Sequence, residues 1–254
     1  MAKKETFESF YHKMYGNRWL TLKEALLKER EPVAYIDSLI KPYYLDEASI
    51  IAAKQLPLKS SDTVLDMCAA PGGKSLILVG ALESGSLVCN DRSSARRARL
   101  KRVINEHLPK EKQALITITS HDATKWGLYE QELYDAILLD APCSSERHVL
   151  SDPKALQLWS VNRTKSLAIQ QFAMLAAALE AVKIGGYILY STCTISKYEN
   201  EEVIAKLEKK REGRYEIITL ETSYSESLSY GSIILPDLSN NLGPIYFCLI
   251  RRVS

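Results

Sequence analysis

No apolar stretch of this sequence reaches the roughly 20 residues a membrane-crossing helix needs, so no membrane partner is expected. No Cys-x-x-Cys pair occurs, and the histidines near the cysteines lack zinc spacing, so no metal is expected. The cysteines are Cys68, Cys89, Cys143, Cys193 and Cys248. Their odd number and their places in apolar runs point to free thiols in a reducing compartment. Charge of one sign is also missing: 33 Lys and Arg oppose 31 Asp and Glu, a net +2. Any nucleic-acid contact must then come from local patches and site shape, not from an overall field. The opening Met-Ala-Lys-Lys-Glu-Thr-Phe-Glu has no apolar signal region and no Arg-rich amphipathic leader. A cytoplasmic location is expected, with the mitochondrial matrix as the alternative if a leader has been removed.

What is present suits one large domain with a small appendage, since 254 residues can bury a sizeable core. Residues 1–60 read as a helical segment, with Phe7, Phe10, Tyr11 and Met14, then Trp19, Leu22, Leu26 and Leu27 at three-to-four spacing. Tyr15-Gly16-Asn17-Arg18-Trp19 marks a turn between them. This segment packs on the main domain; a second reading adds RNA contact through Lys3, Lys4, Arg18, Lys23, Lys28 and Arg30.

From residue 61 to 254 strands and helices alternate. Strands are expected at Thr63–Asp66, Ser86–Asp91, Leu115–Ser120, Tyr134–Asp140, Tyr187–Thr192, Tyr215–Leu220 and Ile245–Arg251. Helices are expected near 74–83, 93–107, 163–183 and 198–211, with Gly185-Gly186 as a helix stop. The 221–243 stretch reads as loop and turn. The result is an α/β fold, a seven-stranded mostly parallel sheet with helices on both faces, which binds ligands at the carboxyl ends of its strands.

Three strand ends carry candidate chemistry. After Thr63-Val64-Leu65 comes Asp66-Met67-Cys68-Ala69-Ala70-Pro71-Gly72-Gly73-Lys74-Ser75, a strand–loop–helix unit. Gly72 and Gly73 lack a Cβ, so a ligand can approach their backbone beside the unpaired N–H groups of a helix start. Asp91 ends the next strand, where an acid suits ribose hydroxyls or, alternatively, caps a helix in competition with Ser93. Asp140-Ala141-Pro142-Cys143 and Ser191-Thr192-Cys193 each place a thiol just beyond an apolar strand. One such cysteine reads as a small apolar residue; two in one cleft suggest function.

The decapeptide resembles the first motif of the Nop/Sun family of RNA cytosine-5 methyltransferases, with Ser75 in place of the usual Thr. It departs from the Gly-x-Gly-x-x-Gly fingerprint of nicotinamide enzymes. The resemblance implies a Rossmann-like class I fold and S-adenosylmethionine (SAM) as cofactor. Its residues would be Cys68, Ala69, Ala70, Pro71, Gly72, Gly73, Lys74, Asp91, Arg96, Asp122, Ala123 and Asp140. Arg96 matches an arginine five positions after the ribose acid; Asp122 suits the adenine amine, with an Asx-turn as the plain alternative. The resemblance makes Cys193 the nucleophile that adds to cytosine carbon-6 and Cys143 the thiol that assists release. Asp140, with a pKa raised by burial, would donate a hydrogen bond to a ring nitrogen. Leu45 replaces the glutamine that this family places before its SAM loop.

Tyr198-Glu199-Asn200-Glu201 resembles the family's Glu-Asn-Glu stretch after the nucleophile. Ser144-Ser145-Glu146-Arg147-His148 and Lys125-Trp126-Gly127 resemble the mitochondrial branch, which acts on small-subunit ribosomal RNA; a sister branch acts on transfer RNA. RNA is therefore the expected partner, with an accessory protein or a ribosomal subunit beside it. Amino-group methylation is disfavoured, because Asp140-Ala141-Pro142-Cys143 offers no aromatic platform. An assembly factor that kept the fold and lost turnover is the alternative of another class.

Overall fold

The computed structural model describes residues 5–254. Eleven strands form within that span: β1 (Val33–Tyr35), β2 (Tyr43–Leu45), β3 (Thr63–Asp66), β4 (Ser86–Asn90), β5 (Ile116–Thr119), β6 (Tyr134–Asp140), β7 (Val182–Thr192), β8 (Tyr215–Ile218), β9 (Glu226–Ser227), β10 (Ser232–Ile234) and β11 (Ile245–Arg252). The helices are α1 (Phe7–Tyr15), α2 (Trp19–Leu27), α3 (Glu47–Ala53), α4 (Gly73–Gly80), α5 (Ser94–His107), α6 (Lys110–Gln113), α7 (Glu146–Ser151), α8 (Pro153–Leu158), α9 (Val161–Ala181) and α10 (Glu201–Arg211).

The main sheet runs β5-β4-β3-β6-β7-β11-β10-β9, with β8 also on β11. Strands β3 to β7 are parallel, and β11 enters antiparallel between β7 and β8. The chain winds outward from β3 to β5, then returns to β6 on the other side of β3. That reversal makes the carboxyl ends of β3 and β6 the crevice where such sheets bind ligands.

Period-two alternation fills a core on each face. Ile137, Leu139, Ile188, Tyr190, Tyr246 and Cys248 face the layer that holds α1, α2, α9 and α10. Ala136, Leu138, Leu189, Ile245, Phe247 and Leu249 face α3, α4 and α5. A strand buried on both faces must be apolar throughout, which is why β6 reads as an unbroken run.

All seven expected strands are present. Two further short ones, β9 and β10, lie in the stretch read as loop; Ser232–Ile234 adds to β11 antiparallel. β1 and β2 form a separate two-stranded sheet inside the N-terminal segment. These runs are only two or three residues long, too short for alternation to show. The expected helix stop also moves. Helix α9 ends at Ala181, and Gly185-Gly186 lie within β7, where its pairing with β6 slips between Val182 and Tyr187. Gly185 has φ +83°, and a Cβ on Gly186 would sit 2.7 Å from the Asp135 carbonyl oxygen. The glycines allow an irregular strand entry; they do not end a helix.

The N-terminal helices are part of the main core. A Thr6–Ser9 capping box starts α1, whose Phe7, Phe10 and Tyr11 share one buried face. Those rings meet Trp159 with centroids 5.2, 5.3 and 6.1 Å away. Among the described residues, three of the four cations expected to reach RNA are engaged elsewhere. Arg18 binds Glu226 and Asp237 at 2.6 Å, Lys23 pairs with Glu8, and Arg30 pairs with Asp46. Lys28 is exposed, and Lys3 and Lys4 lie outside the described residues.

Arg18 therefore clasps the N-terminal segment to the far end of the chain. Arg18→Ala strands Asp237, whose side chain is 5% exposed. We expect a loss of about 2–3 kcal/mol, below the range for a wholly buried pair because Arg18 keeps some solvent contact. Urea unfolding checks this; an unchanged midpoint would make the clasp energetically idle.

Candidate active site

Strand β3 ends at buried Asp66, and the loop after it wraps back to start α4 at Gly73. Gly72 holds φ +120°, and a Cβ on Gly73 would stand 2.9 Å from the Tyr43 ring. Side chains are thus excluded on both sides of this turn. Two cavities flank the loop and share Cys68. One, about 130 Å³, is lined by Tyr43, Leu45, Ala69, Pro71, Lys74 and Asp140 among others. Leu45 gives that wall an apolar surface where the family pattern has an amide. The second, about 160 Å³, is lined by Asp91, Arg96, Asp122, Ala123 and Pro142 among others.

In the first cavity Asp66 is the unusual carboxyl. Ser75 donates its hydroxyl to Asp66 Oδ2 at 2.6 Å, while Oδ1 has no partner. Burial pushes the Asp66 pKa up to about 7 from the ordinary 3.8. The folded protein thus retains a proton that the unfolded chain loses above about pH 4, so stability falls as pH rises from there through about 7. Asp66→Asn should flatten that part of the curve. Melting temperatures of both proteins at a series of pH values decide it; parallel curves would rule Asp66 out as the source.

In the second cavity Ser93 caps α5, accepting from the Arg96 N–H, so Asp91 is not the cap. Asp91 Oδ1 accepts from Ser93 N at 2.9 Å, and Oδ2 lies 3.3 Å from Arg96 Nε. Arg96 also donates to the Ala70 carbonyl, tying the acid to the glycine loop. Asp122 makes the Asx-turn, accepting from the Thr124 N–H at 3.1 Å and hydroxyl at 2.7 Å, and still lines the cavity. Asn90, which motif reading passed over, holds this corner. It donates to the Met67 and His121 carbonyls and accepts from His121 N at 2.8 Å. His121 packs edge-on against Trp126.

The thiols meet because β6 and β7 are neighbours in parallel register, with Asp140 opposite Ser191. Cys143 Sγ and Cys193 Sγ are 3.1 Å apart. The hydrogen bond from Cys143 holds the Cys193 thiol below its ordinary pKa. The same bond, with burial, drives Cys143 well above it. Cys193 is the exposed member of the pair and the one disposed to be a thiolate, as a nucleophile must be.

Asp140 is not the unpartnered buried acid expected from the sequence, because both its oxygens are bonded. Lys74 Nζ donates to Asp140 Oδ2 at 2.7 Å and Ser191 donates to Oδ1 at 2.9 Å. Burial opposes the Lys74 charge, yet Asp140 beside it more than compensates and raises the lysine's pKa. Burial raises the pKa of another strand-end carboxyl, Asp66.

Behind the thiols lies a network to which the sequence motifs assign no role. Glu146 and Glu199 are fully buried and both contact the Ser144 hydroxyl, one residue beyond Cys143. Glu146 also accepts from the Tyr11 and Thr194 hydroxyls and from Ile195 N at 2.9 Å. Glu199 Oε2 accepts from Ser144 N at 3.0 Å and Gln171 Nε2 at 2.9 Å. Both cysteine loops are thereby fastened to one pair of acids. Two glutamates near a cysteine in sequence gave only a weak signal, because buried pairing across 53 residues leaves no local pattern.

Comparison with known proteins follows this geometry. A family model for "16S rRNA methyltransferase RsmB/F" matches residues 53–247. A Bos taurus protein named 5-cytosine rRNA methyltransferase NSUN4 is 36% identical over 245 residues, covering 89% of this chain and 64% of its own length. A Danio rerio protein named tRNA (cytosine(34)-C(5))-methyltransferase, mitochondrial, is 32% identical over 228 residues, covering 84% of this chain and 62% of its own. The chain thus spans somewhat less than two thirds of these relatives. Among solved structures, a methyltransferase homolog protein from Pyrococcus horikoshii superposes with a TM-score of 0.75 at 19% identity, covering 96% of this chain and 93% of that one. This last likeness establishes the fold.

Proposed function

The chain belongs to the 16S rRNA methyltransferase RsmB/F family, and from that premise we propose that it methylates carbon-5 of a cytidine in RNA, with SAM as methyl donor. The observation that carries the reading is the pair of strand-end thiols 3.1 Å apart, beside the Lys74–Asp140 ion pair at the sheet's reversal. Residues 1–60 serve as an extension and residues 61–254 as the catalytic unit.

The crevice fits the cofactor on its own features: the side-chain-free turn at Gly72-Gly73, the acid at Asp91 and the unpartnered Asp66 Oδ1. Cys68 through Lys74, Asp91, Arg96, Asp122, Ala123 and Asp140 would hold it. When bound, SAM supplies an electrophilic methyl group on a sulfonium. Cytosine carbon-5 is a poor nucleophile, and the chain's residues answer that. The Cys193 thiolate adds to carbon-6, forming an S–C bond and placing the ring's electron pair on carbon-5. The Lys74 ammonium, held by Asp140, is the proton source on that strand edge for the charge that develops at ring nitrogen-3. After methylation the carbon-5 proton passes to solvent, the C–H electron pair re-forms the ring double bond as the C–S bond breaks, and Cys193 leaves as a thiolate, with Cys143 assisting that release. The base must leave its stack to reach this pocket.

The resemblance in Ser144–His148 and the family's 16S description favour small-subunit ribosomal RNA as substrate, and the bovine relative's name favours ribosomal RNA. Transfer RNA is the second reading, favoured by the Danio rerio relative. That relative's name also supports a mitochondrial setting over a cytoplasmic one. A ribosomal subunit or an accessory protein would present the RNA.

The test incubates the protein with radiolabelled SAM and separate pools of small ribosomal subunits, free ribosomal RNA and transfer RNA, then digests each to nucleosides. Label in 5-methylcytidine from the ribosomal pools is the expected result. Label only from transfer RNA would favour the second reading, and SAM binding without label in any pool would favour an assembly factor.

A further inference from the structure

The Ser144 hydroxyl has one proton and two carboxylate oxygens to satisfy, Glu146 Oε1 and Glu199 Oε1. If both acids were ionised, one oxygen would face Ser144 lone pair to lone pair inside a buried cluster, where an unmet polar contact is costly. The surrounding donors show where the extra proton belongs. Glu146 collects the Tyr11 and Thr194 hydroxyls and the Ile195 N–H besides Ser144, the setting of a carboxylate. Glu199 receives its two N–H donors, from Ser144 and Gln171, on Oε2, and Oε1 faces only the Ser144 oxygen.

We propose that Glu199 is a positioning residue that works as a neutral acid: its Oε1–H donates to Ser144 Oγ, Ser144 donates on to Glu146, and this relay holds the Cys143 loop against Cys193. Losing the proton places two carboxylates on one hydroxyl, directly behind Cys143, and adds negative charge beside the thiol pair. Cys193 then loses part of the hydrogen bond that keeps it a thiolate. Burial, and Glu146 after it, push the Glu199 pKa up to about 7, so the relay would switch near neutral pH. The titratable groups around it are Tyr11 of α1, Cys143 and Cys193 of the two loops, Glu146 of α7 and Tyr190 of β7, whose hydroxyl donates to the Glu199 carbonyl at 2.6 Å. Of these, none is a cation that would favour ionised Glu199.

The inference rests on the proposed methyltransferase reading for its consequence, so the experiment has one readout that needs no RNA. Cys193 of the full chain is alkylated with iodoacetamide across pH and followed by peptide mass, in wild type, Glu199→Gln and Glu199→Ala. The glutamine amide donates where the neutral acid does and cannot ionise. At about pH 6 wild type and Glu199→Gln should react alike. At about pH 8 wild-type Cys193 should be slower than in Glu199→Gln, by up to about tenfold, since one added charge at this range moves a thiol by about one pKa unit. Glu199→Ala, without a donor, should be slower than Glu199→Gln throughout. Superimposable wild-type and glutamine profiles, or an alanine variant as reactive as the glutamine one, would overturn the proposal. The same pH series is then run for methylation of RNA. Alkylation as expected with no methylation of any RNA would sink the functional reading and leave the relay standing. Methylation with superimposable alkylation profiles would do the reverse.

Discussion

Cys193→Ala should reduce methyl transfer on the order of 10⁴-fold or more, the scale on which enzymes lose activity when a covalent nucleophile is removed. Cys143 is not expected to stand in. The substitution removes the Cys193 bond that raises the Cys143 pKa most, but burial and the nearby glutamates still hold that thiol above its ordinary value, so little of it is thiolate. The substitution takes only a sulfur from an exposed position, and surface changes of that kind shift stability little. SAM affinity should therefore match wild type, because Cys193 lines neither cavity beside the glycine loop. Radiolabel transfer and SAM titration on one preparation separate the two effects. Retained transfer would remove Cys193 from the mechanism; lost SAM binding would mean that the site had collapsed.

Cys143→Ala should behave in the opposite way. The first half of the reaction needs Cys193, which stays in place, so the S–C bond to RNA forms. Breaking that bond is where Cys143 acts, and losing a positioned proton-transfer group slows a step by about 10²- to 10⁴-fold. We expect near one methyl transferred per protein, then a protein–RNA adduct that survives denaturing electrophoresis. The alanine also removes the donor that lowers the Cys193 pKa, so the adduct should form more slowly at low pH than at high pH. A variant that turns over freely with no adduct would show that release needs no second thiol.

Much of this site could be read along the chain, for a physical reason. A parallel sheet places its chemistry at strand ends, and an apolar run that stops at an acid, a glycine pair or a thiol is a local signal. Asp66, Gly72-Gly73, Asp91, Asp140, Cys143 and Cys193 all follow that pattern, and each stands at the edge where β3, β4, β6 and β7 finish. What the sequence withheld is pairwise. Whether Asp140 is free or bonded to Lys74 depends on a helix 66 residues upstream bringing an ammonium to 2.7 Å. The Glu146–Ser144–Glu199 relay depends on two loops meeting, and neither glutamate looks unusual in its own segment. Short strands such as β1 and β9 were hidden because two or three residues cannot display a period. Arg18 read as a surface cation because its partners, Glu226 and Asp237, lie more than 200 residues away.

Those distant partnerships bear on how the protein comes to be made. Tyr11 reaches Glu146, Tyr15 donates to the Ile195 carbonyl at 2.6 Å, and Arg18 waits for Asp237. Helix α1, made long before residue 237, is thus among the last elements to find all its contacts. A nascent chain that lacks residues 245–252 has β7 with no β11 beside it. Contacts of such sequence separation fold slowly and expose apolar surface meanwhile. Synthesis of this chain should accordingly depend on chaperones.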